Sequence, residues 1–116
     1  MLTLDNSFKF ELYLEPTDMR KSFDSLCGIV RQELNTNPTN SKVFIFVNKK
    51  RNKIKILHWR IGGFILYYKR LEKGTFEVPK YDKNVKSIKL NYAQLVLLFD
   101  GITIGNLTQK VQQKSV

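Results

Sequence analysis

The chain has one histidine, His58, and one cysteine, Cys27. One nitrogen and one sulfur ligand fall short of a zinc set, which takes four ligands or three plus water. A lone histidine inside a strand-like run, beside Trp59, reads as a structural polar residue rather than a general base. Two-metal phosphoryl chemistry needs several converging carboxylates. The acids here gather in the first third of the chain, and none lies between Glu33 and Glu72. Asp18 and Asp24 are six residues apart, a spacing that does not bring them together on a helix. No phosphate-cradling glycine signature is present. The expectation is a protein that is not an enzyme and carries no metal or cofactor.

The residues that can do something are cations. Residues 1–33 hold six acids and four bases, whereas residues 34–116 hold four acids and sixteen bases, a net +12. A stretch of one sign draws polyanions, nucleic acid first. The densest set is Lys49, Lys50, Arg51, Lys53 and Lys55, with Arg60, Lys69 and Arg70 following. The first three fall in a turn between strand-like runs, and a two-stranded ribbon fits the major groove of DNA. Lys53 and Lys55 alternate with Ile54 and Ile56, so one face of that strand is basic. Trp59, Tyr67 and Tyr68 are candidate stacking or partner-anchoring aromatics, although core packing is the simpler account of such residues. Arg20 and Lys21 fall in the expected first turn of a helix, where positive charge opposes the dipole and an anion is the natural complement.

The elements that must position these groups read as follows. Phe8, Phe10, Leu12 and Leu14 share one face of a strand over 8–14, and Pro16 ends it. Thr17 or Asp18 caps a long helix carrying Met19, Phe23, Leu26, Val30 and Leu34 at helical spacing, with Cys27 flanking the stripe. The segment 35–41, which contains Pro38, is a loop. Strands over 43–47, 53–59, 64–71 and 75–78 follow with links too short for parallel crossovers, which predicts an antiparallel meander. A last short strand over 87–90 and a helix over 92–100, capped by Asn91 and ended by Gly101, complete the domain. The fold class is thus α+β: an antiparallel sheet of four to five of these strands packed against one long helix, plus a short C-terminal helix. One domain over 1–105 and a polar tail over 106–116 suit 116 residues. Because Cys27 is the lone cysteine, no internal disulfide can form, which agrees with a reducing cytoplasm. The N-terminus does not read as a secretory signal, and no apolar run approaches the ~20 residues of a membrane span.

Three segments together resemble the TnpB accessory protein of insertion-sequence family 66. Asp18-Met19-Arg20-Lys21-Ser22-Phe23-Asp24-Ser25-Leu26 is similar to that family's D-(M/L)-R-K-x-(F/I)-D-x-L element. The block from Val43 to Phe76 follows its K-I-K-(I/L)-L-x-W and G-F-x-L-Y-x-K-R-L-E-x-G-x-F pattern, and Leu90 to Ile102 follows its closing L-x-x-x-Q-L-x-x-L-L-x-G-I. The resemblance covers roughly residues 15–103. It implies a bacterial mobile element whose transposase is a separate, larger protein that this chain assists. The longer RNA-guided nucleases that share the TnpB label are unrelated. The family has no established catalytic residues; Arg20, Lys21, Lys69 and Arg70 match it as candidate contact residues. A departure falls at Arg60-Ile61-Gly62, where relatives often place an acid after the tryptophan. The leading expectation is DNA binding at transposon ends in the nucleoid-containing cytoplasm. The alternative is an adaptor that docks on the transposase without reading DNA.

Overall fold

The computed structural model describes residues 4–101. Its core is a five-stranded sheet in the order β4-β3-β2-β1-β5, with β1 spanning Lys9–Tyr13, β2 Lys42–Val47, β3 Lys53–Arg60, β4 Gly63–Arg70 and β5 Ser87–Leu90. Helix α1, Phe23–Gln32, joins β1 to β2, and α2, Tyr92–Phe99, follows β5.

The sheet is mixed, which corrects the expected antiparallel meander. Only β2, β3 and β4 form one, with Ile45 opposite Ile56 and Leu57 opposite Leu66. β1 runs parallel to β2, with Phe10 beside Val43, and antiparallel to β5, with Leu12 opposite Ile88. The reason is the length of the connection. Residues 14–41 contain α1, and a crossover carrying a helix brings a strand back in the same direction. The expected strand over 75–78 does not form either. The Phe76 N–H donates to the Arg51 carbonyl at 2.6 Å, and the ring is fully buried. That segment is a plug on the way from one sheet edge to the other.

Both faces of the sheet are covered, as the continuous apolar run of β2 requires. Val43, Ile45, Val47, Ile54 and Ile56 face α2 with Phe10, Leu12, Phe76, Leu95 and Leu98. Phe44, Phe46 and Leu57 face α1 with Leu26, Cys27, Val30 and Tyr13.

α1 is shorter than the sequence spacing predicts, ten residues with Ser22 at its N-cap. Residues 17–21 form a separate turn, so Asp18 is no cap and Arg20 and Lys21 precede the helix rather than open it. The Thr17 N–H donates to the Val47 carbonyl at 2.9 Å. The Asp18 carboxylate accepts from the Arg20 N–H at 2.9 Å. The Lys55 ammonium donates to the Met19 and Lys21 carbonyls, each at 2.7 Å. In a longer helix those carbonyls would be taken by amides four residues on; the lysine takes them instead. At the other end Asn35, at φ +51°, turns the chain out of the helix. α2 matches expectation: the Asn91 side-chain Oδ1 accepts from the Gln94 N–H at 2.8 Å, and the Gln94 side chain accepts from the Asn91 N–H at 2.9 Å.

Candidate nucleic-acid interface

The β2–β3 turn is rigid. The Asn48 side-chain oxygen accepts from the N–H groups of both Asn52 and Lys53 at 3.0 Å, and its amide donates to the Asn52 side chain at 2.8 Å. Arg51 sits at φ +58°, a left-handed conformation that costs a side-chain-bearing residue roughly 1–2 kcal/mol. Its carbonyl and that of Asn52 accept from Phe76 and Leu71, which brace the turn from behind.

This turn faces the 17–21 turn across a hollow of about 600 Å³, lined by Pro16, Thr17, Asp18, Met19, Arg20, Asn48, Lys49, Lys50, Lys53 and Tyr68. The two basic surfaces that the sequence suggests separately are therefore one groove. Four cations and one carboxylate line it, and the carboxylate is already engaged. Asp18 is held by Arg20, with a guanidinium nitrogen at 2.6 Å, and that hydrogen bonding lowers its carboxyl to about 2. At neutral pH the groove therefore carries a net positive formal charge.

Lys53 and Tyr68 also line a second hollow of about 310 Å³, with Arg70 and Glu72. Lys53 lies opposite Arg70 and Lys55 opposite Tyr68 in the β3–β4 ladder, so all four share one face. Arg70 is exposed and bridges Glu72 at 2.8 Å.

Other members of the sequence-derived set are placed elsewhere. Lys55 is buried: its ammonium holds the two loop carbonyls and lies 4.7 Å from the centre of the Tyr68 ring. Lys69 points to the opposite face, where its ammonium donates to the Phe99 carbonyl at 2.6 Å and lies over the Phe99 ring. A cation there complements the C-terminal end of α2. Arg60 stands at the far end of the eight-residue strand β3, about 23 Å from Lys53 at strand rise. Arg51 is exposed but lines a different hollow, with Glu77, Lys80 and Lys89. Lys21 is exposed on the loop ahead of α1. Among the aromatics, Trp59 is half-buried with its ring edge-on to Phe64, centroids 4.8 Å apart. Tyr67 packs against the α2-side core. Tyr68 alone of the three is exposed.

Sequence reading missed two features. Asn48 and Asn52 bracket the basic turn, a spacing that marks side-chain closure of a loop. Lys9, Lys42 and Lys89 surround Glu11 in another hollow, where Glu11 accepts from the Lys42 ammonium at 3.1 Å and the Ser87 hydroxyl at 2.7 Å. That second cluster forms only when β1 enters the sheet between β2 and β5, so nothing local announces it.

His58 is buried, with its ring edge-on to Phe8 at 4.7 Å and its Nδ1 without a hydrogen-bond partner among the described residues. Burial first, then the Arg60 charge, lower its pKa. Among the described residues no group of three or more His, Cys, Asp or Glu stands together to hold a metal ion, and no helix is long and apolar enough to cross a membrane.

The groove's two halves, the 17–21 turn and the 48–53 hairpin, lie within the motifs that carried the resemblance. Over residues 9–109 the chain matches the family described as IS66 Orf2 like protein, and it belongs to that family. Membership implies a role in insertion-sequence transposition, in association with the machinery of such an element. Two curated relatives come from Sinorhizobium fredii (strain NBRC 101917 / NGR234). One, named uncharacterized protein y4hO, is 36% identical over 87 residues, 74% of this chain and 73% of its own. The other, uncharacterized protein y4jC, is 31% identical over 65 residues, 56% of each chain. No solved structure matches.

Proposed function

We propose that this protein assists transposition by binding DNA at the ends of its element, through the groove between the 17–21 turn and the β2–β3 hairpin. The observation that carries the reading is the convergence of Arg20, Lys49, Lys50 and Lys53 on one hollow from two separate parts of the chain. Cations so placed contact phosphates, and affinity gained that way falls steeply with salt. Lys55 is then a positioning residue rather than a contact. Lys69 and Arg60 lie outside the footprint, and Arg70 extends it along β4. The protein works with a separate transposase on nucleoid DNA and catalyses no step itself.

The test is fluorescence anisotropy of labelled duplexes, element end against scrambled sequence, across a salt series. Tighter binding to the end that persists at physiological salt is the expected result. Equal, strongly salt-sensitive binding to both removes end recognition. Cleavage of end DNA with a divalent metal, surviving repurification, would overturn the non-catalytic part.

One observation favours a second reading, an adaptor docking on the transposase. Ile61, at the tip of the β3–β4 hairpin, is 91% exposed and sits at φ +47°. A β-branched residue is strained there, and its wetted side chain is one that a partner's apolar pocket would cover. Capture of transposase that survives nuclease treatment and fails with Ile61→Asn supports docking at this tip.

A further inference from the structure

The exposed ring of Tyr68 sits in an unusual setting. One face of it lies on the Lys55 ammonium, 4.7 Å from the centroid. That ammonium is held by two backbone carbonyls, each at 2.7 Å, so the ring rests on an anchored cation. The ring is 53% exposed. Lys53 and Arg70, paired across the β3–β4 ladder, stand next along the same face. Tyr68 and Lys53 together line both the larger groove and the smaller hollow, so the ring stands on the ridge between two basic depressions.

We infer that Tyr68 is a stacking platform for an unpaired base, and that the groove accepts single-stranded nucleic acid, or an unpaired segment at a DNA end, in preference to intact duplex. The inference rests on the nucleic-acid reading above and specifies its ligand. In a duplex both faces of every interior base are covered by its neighbours, so away from a duplex terminus a tyrosine on an open sheet face stacks only on a base that has left the helix. A strand laid across Tyr68 has cations on both sides: Lys49, Lys50 and the Asp18-paired Arg20 in the larger hollow, the Glu72-paired Arg70 in the smaller, and Lys53 bordering both. Alternation of an aromatic face with backbone-tracking cations is how sequence-tolerant single-strand binders work. A ring resting on an anchored ammonium has less freedom to lose on binding than a loose side chain, which lowers the ordering cost of stacking.

The test compares three labelled DNAs of one sequence by anisotropy: a single strand, the blunt duplex, and a duplex with a single-stranded overhang. Wild type, Tyr68→Phe, Tyr68→Leu and the double variant Lys49→Ala/Lys50→Ala are measured with each. The expected result is tighter binding of the single strand and overhang than of the blunt duplex. Tyr68→Leu weakens the single strand about tenfold and the blunt duplex, where only the terminal pairs offer a free face, far less, while Tyr68→Phe, which keeps the ring, behaves as wild type. A 2-aminopurine base in the wild-type-bound single strand is quenched relative to the free strand, and Tyr68→Leu relieves that quenching. Equal loss from all three DNAs in Tyr68→Leu, or no quenching in the wild-type complex, overturns the platform. The reading beneath it fails separately: if Lys49→Ala/Lys50→Ala leaves binding of every DNA unchanged, the groove itself is wrong. If that variant weakens all three while Tyr68→Leu weakens none, the groove stands and the platform falls.

Discussion

Two lysines two positions apart do opposite jobs. Lys53 lines the groove, while Lys55 is buried and spends its charge on the carbonyls of Met19 and Lys21. Hydrogen bonds from a charged donor contribute roughly 1.5–3 kcal/mol. Lys55→Met is therefore expected to lower unfolding stability by about 2 kcal/mol in urea titrations. Because Lys55 is buried on those carbonyls, the same variant should change the salt slope of the proposed DNA binding less than Lys53→Met, which should flatten it by about one unit. His58 makes a second residue-scale prediction. Its folded pKa is lowered by burial and by Arg60, so the folded chain keeps the ring neutral where the unfolded chain, near 6.5, takes a proton. Stability is then full above that value and declines as pH falls through it, until the folded pKa is reached. The urea midpoint should drop between pH 7.5 and pH 5.5, and His58→Leu should remove most of that drop. Asp18, held near 2, stays ionised throughout this window.

At the scale of elements, the sequence signals that held were those confined to one element. Asn91 three residues before Gln94 is a capping box, and α2 begins there. Asn91→Ala should cost about 1 kcal/mol, read as a lower thermal midpoint. β2, β3 and β4 were legible because short turns leave only antiparallel pairing. What failed depended on partners distant in the chain. Met19 continues the apolar spacing of α1, yet it belongs to a turn because a lysine 36 residues later takes its carbonyl. Phe76 has a strand's neighbours, yet its N–H goes to the basic turn. The place of β1 between β2 and β5 was not local either, since the alternation of Phe10 and Leu12 with Lys9, Glu11 and Tyr13 marks a buried face without saying which strands lie alongside. For the interface, the cations were legible by type and their grouping was not: adjacent Lys69 and Arg70 point to opposite faces, and Arg20 reaches Lys49 only through the fold.

At the scale of the whole molecule, the acid-poor stretch from 34 to 71 supplies β2, β3, β4 and the hairpin that faces the groove. Each phosphate contact contributes about 0.9 to the slope of log affinity against log salt for duplex DNA. Replacing Lys49, Lys50 and Lys53 together by alanine should flatten that slope by up to about 3. An unchanged slope would take the hairpin out of the interface. The position of β1 has a different consequence, one of timing. β1 precedes every other strand yet lies between two of them, and its second neighbour is not supplied until Ser87–Leu90. During synthesis, the meander of β2 to β4 can close while one flank of β1 still presents unpaired amides to solvent. An open edge of that kind recruits strands from other chains. The nascent protein therefore passes through an interval of vulnerability that ends only when β5 leaves the ribosome, and prematurely terminated chains lacking it should be found in the insoluble fraction.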